Sequence, residues 1–214
     1  MQDLPTNIWL FFGVVVSISL TGVLMPGPLL AATIAKGYKD KVAGIKIAIG
    51  HGLVEFPLMV LLILSVGLVF KEPAVKLAIG LVGGMLMMFL GTLMIRTRKK
   101  VAQEGADKIP YGSITTGALT TAVNPYFIFW WATIGLTLLN GAMEFGAIVV
   151  VMFAVVHWSC DFAWYSFTAF AVFKTKNLWT PLVHEIVFFL CGAVLFIFGI
   201  WFVVGPMLEL LESL

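Results

Sequence analysis

The chain has 214 residues, 61% of them hydrophobic and only 11% charged, with a formal net charge of +2. A soluble domain carries about 25% charged residues, so a water-soluble globule is excluded and this surface needs lipid as its solvent. The chain reads as all-α, with no soluble enzyme domain and no nucleic-acid partner expected.

Six apolar stretches are long enough to cross about 30 Å of hydrocarbon as helices. They run approximately over residues 8–35, 42–70, 74–95, 113–139, 145–172 and 182–208. The runs are continuous rather than alternating, which excludes a strand barrel. Residues 1–7 carry no basic segment and the first stretch is too long for a signal-peptide core, so a retained span is expected.

The first stretch contains Met25-Pro26-Gly27-Pro28. Pro26 and Pro28 lack amide hydrogens, so the carbonyls of Gly22 and Leu24 should lose their helical partners. The half-helix that begins there offers N–H groups and the positive end of a dipole. Within hydrocarbon such a break is tolerated only when it is buried in protein or lines a wet cavity.

The second stretch carries His51 and Glu55 four residues apart, on one helix face, with Pro57 just beyond. The third carries Gly80, Gly83 and Gly84, a pattern suited to close helix contact. A polar segment from Arg96 to Pro110 follows. The fourth stretch is interrupted at Asn124-Pro125, which should free the Thr121 carbonyl.

The fifth stretch repeats the histidine–acid spacing as His157 and Asp161, with Trp164 one turn further on. Glu55 lies fourteen residues after Lys41, and Asp161 thirteen before Lys174. At about 1.5 Å per residue both acids sit about 20 Å from the basic boundary, near mid-membrane. A charge at that depth must be paired, hydrated or protonated, so both pairs are candidates for a proton relay or cation site. The sixth stretch opens on His184-Glu185, expected at the membrane edge. Cys160 and Cys191 lie in separate spans and read as small packing residues.

The polar segment divides the chain into a first repeat (1–95), a linker loop (96–112) and a second repeat (113–214), together one membrane domain. Three spans per half turn the second half upside down relative to the first, giving two inverted three-helix repeats with broken first and fourth helices. Ten of the thirteen Lys and Arg residues fall on one face, and only Lys71 and Lys76 on the other. The positive-inside rule makes the basic face cytoplasmic and places both termini outside. There is no P-loop, so ATP-driven transport is not expected and no cofactor is implied.

At Pro26-Gly27-Pro28, Lys36 to Lys41, Ala43-Gly44, Gly50, Glu55, Asn124-Pro125 and Asp161-Phe-Ala-Trp164-Tyr165 the chain resembles the LysE/RhtB family of amino-acid exporters. The resemblance covers nearly the whole chain. It implies a six-span exporter of a prokaryotic cytoplasmic membrane, driven by proton or cation exchange, with amino acids the commonest substrates. His51 and His157 stand outside that resemblance. The first reading is therefore proton-coupled export of an amino acid or similar metabolite. In that reading Pro26, Gly27, Pro28, Asn124 and Pro125 shape the carboxylate site, and Glu55 and Asp161, tuned by His51 and His157, bind the amine or carry protons. Trp164 is expected beside that cavity. The second reading is divalent-metal export through His51, Glu55, His157 and Asp161. A homodimer is compatible with both.

Overall fold

The computed structural model describes residues 4–66, 72–104 and 111–212. Among these the chain forms helices and no strands. They are α1 (Ile8–Val23), α2 (Pro28–Gly37), α3 (Ala43–Leu61), α4 (Pro73–Glu104), α5 (Ser113–Ala122), α6 (Pro125–Trp130), α7 (Leu136–Glu144), α8 (Ala147–Lys174) and α9 (Pro181–Glu212). Five helical segments are long and apolar enough to cross a membrane, or six when α1 and α2 count as one bent span.

Local chemistry explains the boundaries. Asn7 caps α1, its Oδ1 accepting from the N–H groups of Trp9 and Leu10. The Pro26-Gly27-Pro28 break bends α1 against α2 by 76°. Asn124-Pro125 separates α5 from α6, and a π turn over Trp131–Gly135 joins α6 to α7. The apolar segment Pro125–Glu144 is thus a 20-residue span by itself. It runs past residue 139, where the sequence reading ended it, because Asn140-Gly141 stays helical with Gly141 packed closely against Leu4 and Phe11. Gly146 has φ of 101°, a left-handed conformation that a side chain would strain, and it turns the chain into α8.

A second boundary also differs. The predicted linker over 96–112 is not a loop throughout, since α4 remains helical to Glu104. The basic run at Arg96–Lys100 contains no helix breaker, so the helix continues through it to Glu104. Residues 105–110, with Lys108, and Lys71 lie outside the described residues.

Close packing depends on missing side chains. α4 lies along α9, and a Cβ on Gly84 would stand 2.6 Å from the carbonyl of Gly199, with 2.7 Å for the reverse pair. Further along the same seam, a Cβ on Gly91 would stand 2.5 Å from the Gly192 carbonyl, and one on Gly192 2.7 Å from that of Gly91. The order of these contacts makes the two helices antiparallel. α3 is held between α5 and α8, with Gly50 against Ile114 and Ala118 of α5, and Gly117 of α5 against Ile47. α8 also packs on α1 and α2. These contacts bring the middle of α3 and the middle of α8 together beside both helix breaks.

Candidate functional site

His51 and Glu55 project from α3, and His157 and Asp161 from α8. All four are buried, with Glu55 only 1% exposed. The two histidine–acid pairs converge in one cluster. His51 Nε2 stands 3.1 Å from Glu55 Oε1 and 3.5 Å from Asp161 Oδ1. His157 Nε2 stands 3.1 Å from the same Glu55 oxygen and 3.9 Å from Asp161 Oδ2. His157 therefore bonds across to α3 rather than to the acid one turn along its own helix. Neither pair is self-contained.

Each imidazole is held at its other nitrogen by a hydroxyl. Ser19 Oγ of α1 lies 2.7 Å from His157 Nδ1, and Thr121 Oγ1 of α5 lies 2.9 Å from His51 Nδ1. A hydroxyl both donates and accepts, so it matches either imidazole tautomer. The near-parallel rings of Trp130 and Phe153 lie 5.0 and 5.9 Å from His157, and Trp131 meets it edge-on at 5.2 Å. Trp131 Nε1 donates to Glu55 Oε1 at 3.2 Å, so that oxygen faces two imidazole nitrogens and an indole N–H. Glu55 Oε2, Asp161 Oδ2 and Trp130 Nε1 are buried with no protein partner.

These atoms face a cavity of about 60 Å³. Pro26, Gly27, Pro28 and Asn124 line it together with the His–acid cluster, Ser19, Thr121 and Tyr165. Pro125 is buried and Trp164 packs against the cluster around Val23, Leu29 and Ile47, and neither lines the cavity. His184 and Glu185 lie elsewhere: Glu185 accepts from Arg98 Nε at 3.1 Å, and His184 packs on Tyr38 and Trp179.

The breaks differ from the expectation in one respect. Two of the carbonyls that the prolines should free are recaptured by tight turns. Met25 N–H donates to the Gly22 carbonyl at 3.2 Å, and Asn124 N–H to that of Thr121 at 3.1 Å. A buried carbonyl without a partner is costly, and a chain released from helical geometry can close an i to i+3 turn instead. The helix starts also differ from each other. Asn124 Oδ1 accepts from Tyr126 N–H and caps α6, whereas no side chain caps α2.

The family model of the LysE type translocator matches residues 20–205, which takes in both breaks and the whole cluster. The chain belongs to the LysE type translocators. No curated protein and no solved structure matches it. The translocator is thus a multi-pass membrane transport protein whose buried polar groups gather at its broken helices. Sequence reasoning did not single out Ser19, Thr121, Trp130 or Trp131 as part of this site. The only available signal was position: Ser19 and Thr121 lie within two turns before the breaks, on the side where a buried imidazole needs a partner.

Proposed function

We propose that the translocator is a secondary exporter of an amino acid or similar small metabolite, coupled to protons carried by Glu55 and Asp161. The observation that carries this reading is the convergence of both acids and both histidines on a cavity lined by the two helix breaks. With neutral imidazoles the cluster holds two negative charges in the interior of a membrane protein. Proton uptake removes that charge, and a substrate amine replaces it, so the two events compete for one place.

The uncapped start of α2 supplies N–H groups for a carboxylate, and Trp130 Nε1 is a further unpartnered donor on the same wall. A cavity of about 60 Å³ has room for about four to six water-sized groups. That suits an amino-acid head group, and a side chain requires α1 and α2 to move apart from α8.

The proposed architecture is a pair of inverted three-span repeats, with the basic face cytoplasmic and both termini outside. It is supported by the reciprocal Gly84–Gly199 and Gly91–Gly192 contacts, which a two-fold axis between α4 and α9 would generate. The matching His–acid spacing on α3 and α8 supports it too.

The test is purified translocator in proteoliposomes with a pH-sensitive dye in the lumen. An outward amino-acid gradient should drive protons the opposite way. If no amino acid or related metabolite moves protons through active, correctly inserted protein, the reading fails.

A further inference from the structure

We propose that His51, Glu55, His157 and Asp161 form a binding site for a divalent transition-metal cation of the zinc class, in the transport cavity. The inference rests on the reading of this cluster as the cation-handling part of the transport site. It names a cation other than the proton.

Geometry carries it. One ligand atom each from His51, Glu55 and Asp161 lie within 4.8 Å of one another. His157 Nε2 stands 3.1 Å from Glu55 Oε1, at the edge of that group of three. Metal–ligand bonds of about 2.0–2.1 Å in a tetrahedron place neighbouring ligand atoms about 3.3 Å apart. The four imidazole–carboxylate separations are 3.1, 3.1, 3.5 and 3.9 Å. The 3.1 and 3.5 Å separations of His51 lie near that edge, so His51, Glu55 and Asp161 supply three ligands, and His157 joins them through a larger side-chain shift.

The surroundings agree. A ligating imidazole needs its second nitrogen held so that the first presents a lone pair. Here both Nδ1 atoms are held by hydroxyls, and both Nε2 atoms face the carboxylates. Glu55 Oε2 and Asp161 Oδ2 remain as unpartnered buried acceptors able to complete the shell. Two imidazoles and two carboxylates bind a borderline cation such as Zn²⁺ or Co²⁺ better than Mg²⁺ or Ca²⁺, which take all-oxygen shells. One divalent charge also neutralises two carboxylates.

The experiment is calorimetric titration of ZnCl₂ into chelator-stripped, detergent-solubilised translocator purified through a tag free of histidine. Co²⁺ absorption reports the ligand field. Binding of about one Zn²⁺ per chain is expected. It should be lost in His51→Ala and His157→Ala, and unchanged in His184→Ala. Thr121→Val keeps every ligand and serves where the alanine variants fail to fold. It should weaken Zn²⁺ by about 10- to 100-fold. No Zn²⁺ binding by folded wild-type protein overturns the inference, as does binding that survives all three site variants. The proteoliposome assay on the same preparation separates the two proposals. Proton movement with amino acids but no Zn²⁺ binding removes the metal site alone. Zn²⁺ binding without any amino-acid response supports the site and removes amino-acid export.

Discussion

Glu55 and Asp161 are chemically alike, yet the geometry separates their contributions to stability. Glu55 Oε1 faces the Nε2 atoms of His51 and His157 at 3.1 Å each and Trp131 Nε1 at 3.2 Å. Glu55→Gln keeps an acceptor at that place and puts the amide NH₂ where Oε2 has no partner, so the shape is preserved. What is lost is the charge. A hydrogen bond to a charged group contributes about 1.5–3 kcal/mol and a neutral one about 0.5–1.5. The loss is therefore about 1 kcal/mol per bond, or about 3 kcal/mol over three bonds. Relief from burying a carboxylate offsets part of this, leaving a net destabilisation of about 1–3 kcal/mol. Asp161 stands 3.5 and 3.9 Å from the same imidazoles, too far for good hydrogen bonds. Asn keeps an acceptor for the Tyr165 hydroxyl, which hydrogen-bonds the Asp161 carboxylate, so Asp161→Asn should change stability by about 1 kcal/mol or less. Both variants should lose substrate-driven proton movement, because an amide does not take up and release a proton as a carboxylate does. Thermal unfolding in detergent and dye-loaded proteoliposomes measure the two effects separately. Equal destabilisation by the two variants, or coupled proton movement that survives either one, would refute the reasoning.

Trp131→Phe removes one donor to Glu55 while keeping most of the ring, and should cost about 1–2 kcal/mol in the same unfolding assay. On the α4–α9 seam, Gly84→Ala places a Cβ 2.6 Å from the Gly199 carbonyl, and such overpacking should destabilise by about 1–3 kcal/mol. The adjacent Gly83→Ala would meet nothing nearer than Pro125 Cβ at 3.8 Å and should be tolerated, which melting of the two variants side by side will compare. Between α2 and α3, a 2.7 Å hydrogen bond from Lys46 and a second from the Val42 N–H hold the Asp40 carboxyl below the usual carboxylate range. A depressed folded value means that the contribution is present above the ordinary carboxylate range and disappears as pH falls through the folded value. The pair is half-exposed, so Asp40→Asn should cost less than about 1 kcal/mol at neutral pH and nothing in acid, read from wild-type and variant melts across pH.

Much of this protein is legible in the sequence because the deciding forces are local. Hydrophobicity over a window of residues commits a segment to lipid whatever its neighbours are. A proline removes its hydrogen bond wherever it stands, so the breaks at Pro26-Gly27-Pro28 and Asn124-Pro125 could be placed without a structure. Helical geometry likewise puts His51 beside Glu55 and His157 beside Asp161 on their own helix faces. The rest depends on which helices touch. The distance between Glu55 and His157 follows from α3 packing on α8 through glycines and small residues, and no spacing along the chain encodes it. Ser19, Thr121 and Trp131 look like ordinary membrane residues until packing aims a hydroxyl or an indole N–H at the cluster. The recaptured Gly22 and Thr121 carbonyls, and the capped start of α6 beside the uncapped start of α2, were decided by backbone turns. The chain closes those turns only once the surrounding helices have removed water and left each buried polar group to find a partner within the protein.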